Sequence, residues 1–168
     1  MTSRKPSRAR RAGIERLSIA GATAFMTPYA FHHYGEEFLE AALSLSAPTV
    51  RFSPVRFFLA CHSIELSLKA FLSLNRVSLA SIKRCYGHDL DLLLTAVEQK
   101  GLGTIVPLSD PQLAEIRNAS GYYNEKVFEY PSIGEALEGY PATPELAVLL
   151  SAAEQLVARL REPCVNAA

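Results

Sequence analysis

Three polar side chains share one stripe of the most apolar segment of this chain. The segment 54–75 begins with Pro54 and contains no further Gly or Pro. His62, Glu65 and Lys69 fall within about 60° of one another on a helix that turns about 100° per residue. Glu65 and Lys69, four residues apart, can form an ion pair, which two buried charges would need. The stripe therefore indicates either an internal ion pair beside a hydrogen-bonded histidine, or the lining of a cleft or a dimer seam.

A second group of polar and aromatic residues follows about 50 residues later: Arg117, Asn118, Tyr122, Tyr123 and Asn124. Arg117 near the end of a helix suits the helix dipole, but its planar fork also suits a phosphate or a carboxylate. The adjacent tyrosines can stack on nucleic-acid bases, or they can cover an edge of the core with the hydroxyl in water.

The motifs of the familiar hydrolases and nucleotide-binding enzymes do not occur in the sequence. It has no HExxH, paired-cysteine, Gly-rich phosphate-loop or GxSxG pattern. The cysteines Cys61, Cys85 and Cys164 match no metal-binding spacing, and an odd number of cysteines favours a reduced, cytoplasmic protein. We therefore expect no metal and no cofactor.

Helix-start signals and apolar spacing predict an all-α bundle of about five helices. A Ser or Thr next to Pro marks a helix start at Thr27, Ser53 and Thr143, and Ser109 with Gln112 forms a capping box. The predicted helices are 28–46, 54–75, 89–100, 111–122 and 144–161, with a short turn at 78–84.

The central helix of this bundle is 54–75, because apolar residues occupy two of its sides. Its main face is predicted to contain Phe57, Cys61, Ile64, Leu68 and Phe71. In the first helix, the residues predicted to face the core are Phe31, Tyr34, Phe38 and Leu45.

Charge and length divide the chain into an arm, a domain and a tail. Residues 1–13 contain five of the 17 basic residues and no acid, so residues 14–168 carry 12 basic against 17 acidic residues, a net charge of −5. We expect a disordered basic arm at 1–13, one helical domain at 14–162 and a frayed tail at 163–168. No run approaches the about 18 uninterrupted apolar residues of a membrane span, so no membrane contact is expected.

Four segments of the sequence together resemble the HEPN domain family. They are the central-helix motif at 62–72, the Gly87–Leu94 start of the next helix, Arg117-Asn118, and the Tyr123–Pro131 run. The resemblance covers roughly residues 28–160. It implies an up-and-down bundle of four or five helices that forms a homodimer.

Many members of this family are metal-independent ribonucleases or toxins of toxin–antitoxin systems, and others are non-catalytic binding modules. Catalytic members have an Arg, a polar residue and then a His after four to six intervening positions. Arg117 and Asn118 match, but the positions for the His are Tyr122, Tyr123 and Asn124.

The resemblance therefore implies a non-catalytic module that binds a nucleotide, RNA or a partner protein near Arg117 and the stripe of the central helix. One alternative is a divergent ribonuclease in which Arg117 and a tyrosine or His88 supply the chemistry. Another is a regulatory partner of a nucleotidyltransferase-like protein.

Overall fold

The structure is a computed structural model that describes residues 26–45, 53–130 and 143–167. Within these ranges the chain forms α-helices, one short 3-10 helix at Leu102–Thr104 and no strand. The helices are α1 (Pro28–Ser44), α2 (Pro54–Leu74), α3 (Leu79–Cys85), α4 (Leu90–Gln99), α5 (Asp110–Asn124) and α6 (Leu146–Asn166). The predicted all-α bundle is thus confirmed, whereas the predicted arm at 1–13 lies outside the described residues.

α2 is the central helix, and it packs against α1, α3, α4, α5 and α6. Every residue of its predicted main face is buried, and Cys61, Ile64 and Leu68 are completely inaccessible to solvent. Burial on this scale, at about 25 cal/mol per Å² of apolar surface, is the main stabilisation of the bundle.

α2 is also long and apolar enough to cross a membrane by length and composition. This differs from the sequence expectation, which looked for an uninterrupted apolar run rather than for mean hydropathy. Most of α2 is buried inside the protein, and the core helix of a globular domain passes the same test. The absence of membrane contact stays a prediction.

Two of the four predicted helix caps are formed by the expected side chains. Thr27 accepts a hydrogen bond from the amide of Ala30, and Ser109 forms the capping box with Gln112. Ser53 precedes α2 without a side-chain capping bond, and α6 begins only at Leu146, after Glu145. The predicted turn at 78–84 is the helix α3, which Ser78 caps through the amide of Ser81.

The buried face of α1 differs from the predicted one. Phe31 is buried as predicted, but Tyr34 and Leu45 are exposed. The face in contact with α2 instead includes Gly35, whose missing side chain allows a close approach: an added Cβ would lie 3.2 Å from Oγ of Ser67. Because the Gly35 side of α1 faces α2, Tyr34, which is beside Gly35 in the sequence, lies on the solvent-exposed side of α1.

The last helix continues beyond its predicted end. α6 runs to Asn166 and includes Pro163, so most of the predicted tail at 163–168 is helical. Cys164 lies in this extension and is fully buried as part of the hydrophobic core, so this part of the helix is packed against the rest of the bundle. Burial raises the pKa of its thiol to about 11.

Candidate functional site

A buried carboxylate on α2 is the centre of the most polar region of the interior. The side chain of Glu65 is 2% exposed and contacts four other polar side chains. We call these residues the Glu65 cluster: Glu65, His62, Lys69, His88 and Tyr123. They come from three places, since the first three lie on α2, His88 precedes α4, and Tyr123 lies on α5.

The contacts within the cluster satisfy both oxygens of the carboxylate. Lys69 donates to Oε1 of Glu65, and the Tyr123 hydroxyl donates to Oε2 at 2.5 Å. Nδ1 of His88 lies 3.1 Å from each of the two oxygens. The carboxylate is therefore held by a cation, a hydroxyl and an imidazole.

The directions of these hydrogen bonds determine where the protons lie. An ionised Glu65 can only accept, so the single hydroxyl proton of Tyr123 points at it. Nδ1 of His62 lies 2.6 Å from the same hydroxyl oxygen and must donate to it. Nδ1 of His88 must likewise donate to Glu65. Both imidazoles thus have a proton on Nδ1, and in their neutral form each carries its lone pair on Nε2.

The surroundings of Glu65 keep it ionised. Burial opposes ionisation, but His62, whose Nδ1 lies 3.4 Å from Oε2, the charge and hydrogen bond of Lys69, and the Tyr123 hydroxyl together lower the pKa of Glu65 to about 2. Burial and the negative charge of Glu65 raise the pKa of Tyr123 above its ordinary range. Tyr123 therefore acts as a hydrogen-bond donor and not as a base at neutral pH.

The cluster reaches the surface through its histidines. The side chain of Lys69 is 9% exposed and that of His62 is 21% exposed, whereas His88 is 66% exposed. A left-handed residue, Gly87 (φ 54°), turns the chain immediately before His88. The backbone then closes with a hydrogen bond of 3.0 Å from the amide of Asp89 to the carbonyl of Tyr86. This turn directs the His88 ring over α2.

Aromatic rings surround the inner histidine. Phe58 lies parallel to His62, with ring centres 5.5 Å apart, and Phe38 of α1 meets the same ring edge-on at 4.3 Å. These rings fix the orientation of the imidazole and form an apolar rim beside the polar centre of the cluster.

The residues proposed on α5 separate into two groups. Tyr123 belongs to the cluster, whereas Arg117 forms ion pairs with Asp91 (3.2 Å) and Glu98 (2.7 Å) of α4 and is partly exposed. Asn118 and Asn124 are exposed on the same helix. The structure thus joins the α2 stripe to Tyr123, and it directs Arg117 towards α4.

Tyr122 has a packing role in the segment that follows α5. Its ring stacks on Phe128 with centres 5.8 Å apart, and Phe128 stacks on Phe57 of α2 at 5.2 Å. This column of three rings holds the end of α5 against α2, next to Tyr123. The hydroxyl of Tyr123 therefore keeps its position over the carboxylate.

From the sequence, His88 is a candidate only in the ribonuclease alternative, and its contact with Glu65 was not predicted. α4 is capped by Asp89, which accepts from the amides of Asp91 and Leu92. One feature of the sequence could have indicated that His88 lies near α2: a Gly-His-Asp run directly precedes a helix whose apolar face has to pack on α2. Within the described ranges, no set of three His, Cys, Asp or Glu side chains has an arrangement that could hold a metal ion.

Comparison with models of protein families, with curated protein sequences and with solved structures found no match for this chain. The fold and the site by themselves define the class of protein: an all-α bundle with a buried carboxylate that contacts two histidines.

Proposed function

We propose that this chain is a HEPN-like helical module that binds RNA or a nucleotide at the Glu65 cluster. The observation that carries this proposal is the meeting of three distant segments at one place. The α2 stripe, His88 and Tyr123 each belong to a segment that resembles the family, and they are separated by 23 residues or more along the chain. Local spacing alone does not produce such a convergence.

The charges and rings of the cluster suit a phosphate-bearing ligand. Lys69 neutralises the charge of Glu65, so the buried centre adds no net negative charge. His62 and His88 reach the outer edge of the cluster, and each becomes a cation when Nε2 takes up a proton. The ring of Phe58 beside His62 adds a flat apolar face, which favours a base over a simple anion.

Equilibrium binding of short fluorescent RNA oligonucleotides and of common nucleotides tests this proposal. The variants are His88→Ala and His62→Ala, and the matched control is His33→Ala, because His33 pairs with Glu37 on the surface of α1. Loss of a charged hydrogen bond costs about 1.5–3 kcal/mol, so we expect about tenfold weaker binding or more for the two cluster variants. Equal affinities for the wild type and both cluster variants would contradict the proposal.

The family resemblance also leads us to propose a homodimer with Arg117 near the seam. Arg117 is partly exposed and its guanidinium is shared between Asp91 and Glu98, so an incoming phosphate would compete with these carboxylates. Sedimentation at micromolar concentration measures the assembly. A monomer under these conditions would contradict the dimer, and Arg117→Ala tests the contribution of this residue to assembly and to ligand binding.

A divergent metal-independent ribonuclease is the second candidate, and the position of His88 favours it. The catalytic histidine of the family pattern is absent from α5, but Nδ1 of His88 donates to Glu65 and leaves Nε2 to accept a proton. An oriented imidazole is the usual general base. The test is incubation with RNA in the presence of a chelator: degradation that His88→Ala or Arg117→Ala abolishes would establish this activity, and intact RNA would exclude it.

A further inference from the structure

We propose that Nε2 of His88 is a phosphoryl acceptor that reacts with a donor of the phosphoramidate or acyl phosphate class. The reaction at His88 does not require RNA binding to occur, since it needs only the imidazole, the residues that orient it and a small donor. Three observations carry it: the contacts of 3.1 Å between Nδ1 of His88 and the Glu65 carboxylate, the exposure of the His88 side chain and the neutralised charge beneath it.

His88 is the histidine of this chain that combines an anchored Nδ1 with an open ring. The chain has four histidines. His32 is buried with Nε2 donating to the carbonyl of Val157 at 2.8 Å, and Nε2 of His33 faces Glu37 at 3.5 Å. His62 is mostly covered, between Phe38 and Phe58. In His88 the carboxylate of Glu65 binds Nδ1–H, so the nucleophilic lone pair lies on the exposed side of the ring.

Glu65 assists the reaction as a positioning residue. In the attack, the Nε2 lone pair forms a bond to phosphorus while the P–N bond of a phosphoramidate donor breaks and ammonia leaves with the bonding electrons. With an acyl phosphate the P–O bond breaks and a carboxylate leaves. The ring becomes cationic and keeps its Nδ1 proton, and the adjacent carboxylate stabilises this positive charge.

The charges around His88 are compatible with a phosphorylated product. Glu65 faces the ring from α2, where Lys69 balances it, and Tyr123 of α5 contributes a neutral hydroxyl. The carboxylate of Asp89 is turned towards the amides of Asp91 and Leu92. With a 66% exposed side chain, the product places its charge in water and needs no buried partner.

Incubation of the full chain with phosphoramidate, followed by intact-mass measurement, tests this proposal. We expect the mass of one phosphoryl group to be added, with the lability in acid and stability in alkali of a phosphohistidine. His88→Ala, a change at an exposed side chain, should abolish the addition, and His33→Ala should leave it unchanged. No addition to the wild type, or equal addition to His88→Ala, would overturn the proposal.

The positioning role of Glu65 in the reaction is tested separately from its contribution to stability. Glu65→Gln should slow the addition about tenfold or more, because an amide does not fix the tautomer. The double variant Glu65→Gln/Lys69→Met removes the uncompensated lysine and keeps the measurement meaningful if the single variant unfolds. Nitrogen NMR of the imidazole should show the Nδ1–H form in the wild type and a shift towards Nε2–H in the variants. An unchanged rate together with an unchanged tautomer would refute the positioning role.

Discussion

Replacement of Glu65 by Gln should strongly destabilise the protein at neutral pH and much less in acid. The ordinary pKa of this carboxyl group is 4.5, and in the folded protein it lies at about 2. At 1.36 kcal/mol per pH unit, ionised Glu65 contributes about 3 kcal/mol to the free energy of unfolding. Glu65→Gln loses this contribution and leaves Lys69 buried without its counter-charge. The expected loss of about 3 kcal/mol agrees with the cost of about 3–5 kcal/mol for breaking a buried ion pair.

The sign of the pH dependence follows from the lowered pKa. The unfolded chain takes up a proton at Glu65 before the folded protein does, so acid favours unfolding. The contribution is complete above about pH 5 and is lost as the pH falls towards about 2. The difference in unfolding free energy between wild type and Glu65→Gln should therefore decrease over this window.

Urea denaturation at a series of pH values measures this difference. The control is Glu37→Gln, which removes a carboxylate of the exposed pair with His33 and should change stability by less than about 0.5 kcal/mol. Glu65→Gln/Lys69→Met should be more stable than Glu65→Gln alone, since it removes the unpaired charge. A cost below about 1 kcal/mol at pH 7 for Glu65→Gln, or a difference that does not change with pH, would refute this reasoning.

Four further substitutions test the packing and the polar contacts by denaturant unfolding. Leu68→Ala should cost about 2–5 kcal/mol, because Leu68 is fully buried on α2; a cost below about 1 kcal/mol would contradict the assigned core. Ser67→Ala should be neutral or stabilise by up to about 1 kcal/mol, because Oγ of Ser67 is buried without a hydrogen-bond partner among the described residues; marked destabilisation would reveal a missing partner. Tyr123→Phe should cost about 1–3 kcal/mol, since it removes the acceptor that lies 2.6 Å from Nδ1 of His62 and one of the donors to Glu65; unchanged stability would be inconsistent with the proton arrangement. Arg117→Ala should cost less than about 1 kcal/mol, because its ion pairs are solvent-exposed; a larger loss would show that Arg117 is a structural residue.

The helical class and the core of α2 could be predicted from the sequence because both depend on local periodicity. A helix that is apolar on two sides has to be surrounded, and the burial of Phe57, Cys61, Ile64 and Leu68 followed from spacing alone. The Glu65–Lys69 ion pair was predictable for the same reason, since residues four apart on a helix are neighbours. The buried face of α1 could not be predicted in this way, because the orientation of α1 depends on the close contact of Gly35 with Ser67 on another helix.

The composition of the site was decided by tertiary structure. Sequence reasoning placed Arg117 with Tyr123 because they share a helix and a family pattern, but they lie on different sides of α5 and have different partners. His88 joins Glu65 across 23 residues of sequence, through a turn at Gly87 that no periodicity describes. Spacing along a helix fixes which residues are neighbours on that helix. Which residues meet across helices depends on how the apolar faces pack, and only the folded chain determines that.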